Sequence, residues 1–191
     1  MARAAGPPAV AATREVKPAG VWRRLLALLL DYVVILAWMA FLGFLSFLTH
    51  VVMGSLPDTL GTLGPLGSQV LYFFLLTFVV GVYLYRCESG PHHSTWGKRR
   101  LGLAVVGVDG AAPSRSRILV RTVVKLLPWE AAHFFVWQMM WTFYQHGYDA
   151  APPVWIFLGL QASTAAALVY IAMVVFTGRG PHDRAAGTVV V

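Results

Sequence analysis

The first side chains that could do chemistry are an arginine and an aspartate within one apolar stretch. Residues 23–45 read RRLLALLLDYVVILAWMAFLGFL, so Asp31 follows Arg24 by seven positions. Seven residues make about two turns of a helix, which places both side chains on one face, about 10 Å apart. Because helical side chains lean toward the N-terminus, Arg24 points away from Asp31. An ionised Asp31 therefore needs a partner from another segment.

A carboxylate in an apolar helix has two interpretations, and the residues leave both open. Asp31 could bind a cation or a proton that the protein moves, or it could be a structural group that holds helices together. Its candidate partners are basic residues that lie later in the chain. They are Lys98, Arg99, Arg100, Arg121, Lys125, His182 and Arg184.

A second carboxylate, Asp183, lies in the segment GRGPHD, which is typical of a tight turn. The turn follows the last apolar stretch. We expect it to fold back toward Arg24 or Arg99 and to form one polar cluster with Asp31. A charge cluster at a helix end is most often structural, and a gating role is the alternative.

Glu130 and His133 are spaced i, i+3, which suits a metal ligand pair or a proton relay in a helix bundle. One such pair supplies only two ligands and the chain has no second pair, so we predict no metal site. His92 and His93 form a still weaker candidate, because no third ligand is near them in sequence. The chain contains no nucleophile motif or phosphate loop, so we expect neither an enzyme nor a cofactor.

These residues must be positioned by helices that cross a membrane. Hydrophobic residues make up 58% of the chain and charged residues 12%, whereas a soluble domain carries about 25% charged residues. A helix needs about 20 apolar residues to cross a bilayer. The predicted spans are residues 25–48, 69–85, 130–146 and 153–177.

The distribution of basic residues supports four spans. All 15 lysines and arginines lie before the first span, between the second and third, or after the fourth. Four spans place these three groups on one side of the membrane, as the positive-inside rule requires. We therefore predict a multi-pass protein with both termini in the cytoplasm. Because a membrane surface accounts for the net charge of +7, we predict no nucleic-acid partner.

Two further regions complete the predicted organisation. Residues 1–19 are predicted to be a disordered cytoplasmic tail, and residues 20–191 a membrane domain. Within it, residues 86–128 form a basic cytoplasmic loop. Its valines at 105, 106 and 108, followed by Asp109-Gly110, predict a short β-hairpin.

The end of this loop predicts an amphipathic helix in the headgroup plane. Ser114 is a suitable N-cap, and Arg117, Arg121 and Lys125 recur every four residues. Such a basic face could contact anionic lipid headgroups. Pro128 is expected to end the helix and to turn the chain into the third span.

A strip of small residues lies on one face of the fourth span. Gly159, Ser163 and Ala167 recur every four positions, which lets another helix approach closely. Packing within the bundle is the simpler interpretation, and a homodimer interface is the alternative.

Three ordered segments of this chain resemble one family. They are GVWRRLLALLLD, STWGKRRLGLAVVGVDG and GRGPHDRAAGTVVV, and together they resemble the RDD family of bacterial membrane proteins over about residues 20–191. The arginine and two aspartates of the family name match Arg24, Asp31 and Asp183. Where the family often has Thr-Pro-Gly-Lys, this chain has Thr95-Trp96-Gly97-Lys98.

The resemblance implies an all-α integral protein of the bacterial inner membrane. It implies transport of an unidentified ligand, since some members are described as sodium/proton antiporters, while others are parts of membrane assemblies. On the transport hypothesis, Asp31 binds the ion and Asp183 orders a cytoplasmic gate. Arg24 completes the polar centre, and the supporting residues are Lys98, Arg99, Arg121, Lys125 and His182. The alternative is an accessory subunit that binds a membrane protein partner and does not transport.

Overall fold

The computed structural model describes residues 16–191 and is mostly helical. We label its helices and strands in chain order. They are α1 (Val21–Met53), α2 (Thr59–Tyr72), a π-helical turn (Phe73–Thr77), α3 (Phe78–Ser89), α4 (Trp96–Arg100), β1 (Val105–Gly107), α5 (Arg115–His146), α6 (Val154–Thr177), α7 (Pro181–Ala185) and β2 (Thr188–Val190).

Three helices in the described residues are long and apolar enough to cross a membrane. They are Val21–Met53, Val154–Thr177 and the kinked helix Thr59–Ser89, which joins α2, the π-helical turn and α3 and bends at Gly64. They contain three of the four predicted spans. The remaining predicted span, residues 130–146, is the second half of α5, whose 32 residues include the polar Glu130, His133 and Gln138.

The prediction of a β-hairpin after Val105 is wrong. The turn forms, with the Gly110 N–H donating to the Gly107 carbonyl at 2.9 Å, but the chain then enters α5. β1 instead pairs antiparallel with β2, in the register Val105↔Val190 and Gly107↔Thr188. A partner strand whose paired residues are 81 to 85 positions away leaves no local signal, whereas the Asp-Gly turn does.

Pro128 does not end a helix as predicted, because α5 continues through it. Proline lacks the N–H that would bond to the carbonyl four residues earlier, which is that of Val124. The Tyr170 hydroxyl of α6 donates to this carbonyl at 3.1 Å. A side chain from a neighbouring helix thus replaces the missing backbone bond.

The first half of α5 is also oriented differently from the predicted interfacial helix. Ser114 caps it as expected, accepting a bond from the Arg117 N–H at 3.3 Å. However, Arg121 is only 1% exposed, while Val123 and Leu127 are about half exposed. The middle of the basic face points into the protein, and apolar side chains point outward.

The small-residue strip on α6 is partly used inside the bundle. A Cβ on Gly159 would lie 2.1 Å from the Phe135 ring of α5, so only glycine permits this approach. Ser163, one turn later, is buried as well. Packing of α5 against α6 therefore accounts for these two residues.

A compact apolar core joins the short elements at one end of the bundle. It consists of Ala27, Leu103, Val105, Ile118 and Val190. The Ala19 N–H donates to the Val190 carbonyl at 2.8 Å, so the segment before α1 is bound to β2. The remainder of the predicted tail, residues 1–15, lies outside the described residues. We call this end of the molecule, where α4, α7 and both strands lie, the basic end.

Candidate functional site

Five buried or half-buried charged side chains form one hydrogen-bonded network at the basic end. Each comes from a different helix, and the network joins α1, α3, α4, α5 and α7. The members, which we call the charge network, are Arg24, Glu88, Lys98, Arg121 and Asp183.

Arg121 is the centre of the charge network. Its Nε donates to Glu88 Oε2 at 2.8 Å, and its Nη1 donates to Asp183 Oδ1 and, at 3.1 Å, to Thr188 Oγ1. Arginine suits this position because its planar fork can bind two carboxylates at once. The guanidinium thereby links α3, α7 and β2 to α5.

Asp183 is fully buried and receives donors from three segments. Besides the bond from Arg121, its Oδ2 accepts from Arg24 Nη2 at 3.1 Å and from the Gly180 N–H at 3.0 Å. Burial disfavours the charged carboxylate, but the positive charges of Arg121 and Arg24 outweigh this effect. The pKa of Asp183 is lowered to about 2.

The end of α6 brings the chain back to Arg24. Gly178 adopts a left-handed conformation with φ of 70°, which ends the helix and turns the chain. Its carbonyl accepts a hydrogen bond from Arg24 Nη1. The predicted contact between Asp183 and Arg24 is therefore present, whereas no bond joins Asp183 to Arg99.

Glu88 is a member that the sequence analysis missed. It lies at the end of α3, is 1% exposed, and its Oε1 accepts a bond from Lys98 Nζ. An acid among the bases Arg86 and Lys98 was the only sequence signal. Because Arg121 and Lys98 both bind Glu88, the two acids of the charge network are fully paired.

Asp31 is not part of the charge network. It is 4% exposed, and none of the described basic residues forms a salt bridge with it. Its carboxylate instead accepts three hydrogen bonds, from Tyr83 Oη at 2.7 Å, Thr95 Oγ1 at 2.6 Å and the Gly97 N–H at 2.8 Å. The expected single cluster of Arg24, Asp31 and Asp183 is therefore divided in two.

The segment Thr95-Trp96-Gly97 explains how Asp31 is held. A Cβ on Gly97 would lie 2.1 Å from the Ala27 carbonyl, so glycine lets α4 lie directly against α1. The Trp96 N–H donates to Tyr83 Oη at 3.1 Å, and this hydroxyl in turn donates to Asp31. A proline at position 96 could not make the first of these bonds.

The other predicted supporting residues have different positions. Arg99 is exposed. His182 is 8% exposed and lies beside Tyr170, and its Nδ1 has no hydrogen-bond partner among the described residues. Burial, followed by the charge of Arg121, lowers the pKa of His182 to about 3. The imidazole is therefore neutral near pH 7.

Lys125 lines a cavity of about 210 Å³ between α1, α3 and α5. Asp31 lies in the wall of the same cavity, and the walls are otherwise mostly apolar. Further from the basic end, the cavity is lined by Thr77 and His133. Asp31 thus borders a mostly apolar cavity that extends along α1, α3 and α5 away from the basic end.

Glu130 and His133 lie beside the π-helical turn. Thr77 Oγ1 donates to Glu130 Oε2 at 2.8 Å, and Gln69 Nε2 donates to Glu130 Oε1 at 3.3 Å. His133 Nδ1 lies 3.5 Å from Glu130 Oε2. Within residues 16–191, no third histidine, cysteine or acid joins this pair to make a metal site.

Comparison with protein families gives one match. The model of the RDD family matches residues 18–187, which is most of the chain. The chain belongs to the RDD family. No curated protein and no solved structure matches it.

The three residues that match the RDD name have two distinct environments here. Arg24 and Asp183 form an ion pair within the charge network, while Asp31 bonds to Tyr83 and to α4. All three hold the short elements of the RDD domain against its long apolar helices. Of the three, only Asp31 lines the cavity.

Proposed function

We propose that this membrane protein moves a small monovalent cation across the bacterial inner membrane in exchange for protons. Asp31 is the proposed ion-binding carboxylate, and no enzymatic step is involved. The observation that carries the proposal is the cavity of about 210 Å³ whose wall contains Asp31, Lys125, Thr77 and His133. Ionisable groups within a membrane bundle commonly mark ion pathways.

The bonding of Asp31 leaves room for an ion. An ionised carboxylate offers about four acceptor positions, and three of those on Asp31 are used by Tyr83, Thr95 and Gly97. The remaining position is available to a cation or a proton that enters from the cavity. Lys125 lies in the same cavity wall, so its charge competes with a bound cation.

The charge network is proposed to close the cytoplasmic end of the bundle. Its five charged groups come from five helices, so ion passage at this end requires some of these bonds to break. Desolvated pairs of this kind are strongly destabilised when one partner is removed. In this reading, Arg24 and Asp183 hold the closed state and do not bind the ion.

We propose four spans, with both termini in the cytoplasm and α5 as the third span. Two contacts at opposite ends of α5 support this topology. Arg121 binds Glu88 at the end of α3, and Tyr144 Oη donates to Asp58 Oδ2 at 2.6 Å, beside the start of α2. α5 therefore lies alongside the kinked helix Thr59–Ser89, with contacts at the end of α3 and beside the start of α2. The exposed Arg99, Arg100, Arg115 and Arg117 are proposed to contact anionic lipid headgroups.

Ion flux in liposomes tests the proposal. Purified protein is placed in liposomes with a pH-sensitive dye inside, and sodium or potassium is added outside. The wild type should move protons, and Asp31→Asn should reduce the rate at least tenfold while keeping a monodisperse fold. Asp58→Asn is the matched control, because Asp58 is an exposed carboxylate outside the cavity. Undiminished flux with Asp31→Asn would remove Asp31 from the pathway.

An accessory subunit is the second candidate, and one observation favours it. Most side chains in the second half of α1 are exposed, including Phe44, Phe47 and Val51. This surface could face lipid or the helix of a membrane protein partner or a second copy. Absence of flux in the wild type, with loss of folded yield in Asp31→Asn, would favour this function.

A further inference from the structure

Among the described residues, the Glu130 carboxylate forms no salt bridge with a lysine or an arginine, in contrast to Glu88 and Asp183. It lies nine residues after Arg121 on the continuous helix α5, which is about 13 Å farther along the axis. The hydrocarbon core of a bilayer is about 30 Å thick. On the proposed topology, with the basic end at the cytoplasmic surface, Glu130 lies in the apolar layer near its cytoplasmic edge, because the predicted third span begins at residue 130.

The hydrogen-bond donors to Glu130 come from the kinked helix Thr59–Ser89. The π-helical turn Phe73–Thr77 inserts an extra residue into this helix, and such turns are frequent at functional sites. Thr77, the last residue of the turn, is 4% exposed and donates to Glu130 Oε2. Gln69, two turns earlier, donates to the other carboxylate oxygen.

The charged and titratable groups around Glu130 are few. On α5 they are His133, whose Nδ1 is 3.5 Å from Glu130 Oε2, and Lys125, one turn toward the basic end. From α1, Asp31 faces the cavity that His133 also lines. Gln69 and Thr77, the donors from the kinked helix Thr59–Ser89, do not titrate. α6 carries no charged residue.

We propose that Glu130 and His133 form a second, membrane-embedded site that binds and releases one proton. The proton joins the Glu130 carboxylate to give the neutral acid, with His133 beside it, and it leaves to the cavity lined by Thr77 and His133. A carboxylate without a counter-ion is costly in hydrocarbon, and a proton removes that charge. The pair has two protein ligands at most, which suits a proton better than a metal ion.

This inference rests on the proposed exchange function and deepens it. Asp31 and His133, the neighbour of Glu130, line the same cavity, so a cation and a proton could occupy separate sites. Proton-driven exchange requires that each ion influence the other. The shared cavity provides the space through which that influence acts.

Infrared difference spectroscopy tests the proton site independently of transport. Purified protein is taken from high to low pH, and the signal of protonated carboxyl groups is recorded for the wild type, Glu130→Gln and Glu130→Asp. The wild type should show one carboxyl band that is lost in Glu130→Gln, while the bands of exposed acids such as Asp58 remain. Glu130→Asp should restore it with a changed pH midpoint, which shows that the protein still folds.

Flux measurements then separate the two proposals. With active wild type, Glu130→Gln should lower proton-coupled flux at least tenfold. A wild type without flux but with the Glu130 signal would overturn the proposed function and retain the proton site. A carboxyl signal unchanged in folded Glu130→Gln would overturn the proton site, whatever the flux.

Discussion

Arg24 Nη2 and Asp183 Oδ2 lie 3.1 Å apart, although 159 positions separate the two residues in sequence. The contact joins the start of the first apolar helix to the turn after the last one. Asp183 is fully buried between Arg24 and Arg121. Its single carboxylate thus balances two guanidinium groups from two different long helices.

Removing the charge of Asp183 should destabilise the whole protein. Asp183→Asn leaves Arg24 without an acidic partner and Arg121 with only Glu88. Breaking a buried ion pair typically costs about 3–5 kcal/mol, because the remaining charge stays buried and unpaired. Thermal unfolding in detergent should therefore occur at a clearly lower temperature than in the wild type.

Asp58→Asn is the control for this variant. Asp58 is exposed and caps α2, and asparagine serves equally well as an N-cap. We expect its midpoint to change little. Equal midpoints for Asp183→Asn and the wild type would contradict a stabilising role for the charge network.

Adding one methyl group at Gly97 should separate α4 from α1. The added Cβ of Gly97→Ala would lie 2.1 Å from the Ala27 carbonyl, which is backbone and cannot rotate away. Overpacking of this kind costs about 1–3 kcal/mol, and it should weaken the bond from the Gly97 N–H to Asp31. Differential scanning fluorimetry in detergent measures the loss.

Gly43→Ala is the matched control, because Gly43 lies in α1 with no atom near its would-be Cβ. Alanine favours helix over glycine by up to about 1 kcal/mol, so this variant should be as stable as the wild type or more so. If both variants had the same stability, the close approach of α4 to α1 would not contribute to the free energy of unfolding.

Acidification should destabilise the basic end. The pKa of His182 is lowered from 6.5 to about 3, so the unfolded chain binds a proton more readily than the folded one. Stability is complete above pH 6.5 and falls by up to about 1.4 kcal/mol per pH unit below it. Asp183, whose pKa is lowered from 3.8 to about 2, adds a further loss at lower pH.

Unfolding midpoints recorded from neutral pH downward check this prediction. In His182→Asn the decline between pH 6.5 and about 4 should be shallower than in the wild type. His92→Asn provides the control, since His92 is exposed. A wild-type slope in His182→Asn would mean that another group takes up the proton.

The proposed topology predicts which side of the membrane each end of α5 occupies. In a Cys87→Ser background, Tyr148→Cys should react with a membrane-impermeant maleimide added to intact cells, because Tyr148 is 89% exposed beyond α5. Arg115→Cys, at the start of α5, should react only after the cells are opened. Reaction of both cysteines from the same side would exclude α5 as a span.

Local signals allowed part of this fold to be predicted. Long apolar runs predicted three helices, and the turn GRGPHD predicted the return of Asp183 to Arg24. The apolar runs and the turn itself depend on neighbouring residues alone. The pairing of Val105 with Val190 depends on residues far apart in sequence, so a local hairpin was the wrong expectation.

Side-chain compensation explains the other differences. The break expected at Pro128 is absent because Tyr170, on another helix, satisfies the freed carbonyl. Arg121 was expected at the lipid surface, but Glu88 and Asp183 draw it inward. A basic helical face has the same sequence pattern whether it contacts lipid headgroups or buried acids. Only the positions of Glu88 and Asp183 in the fold show that Arg121 is buried.

The pairing of β2 with β1 can form only late in biogenesis, because β2 is the last of the described elements in the chain. The ribosome makes α7 and β2 after all the long apolar helices, so Arg24 on α1 and Arg121 on α5 are synthesised before Asp183. During this interval Arg24 and Arg121 lack their shared acid, and β1 presents an open edge. Until α7 and β2 are made, the nascent chain exposes a free strand edge and two arginines without their shared acid to chaperones and proteases. The mature protein buries this surface.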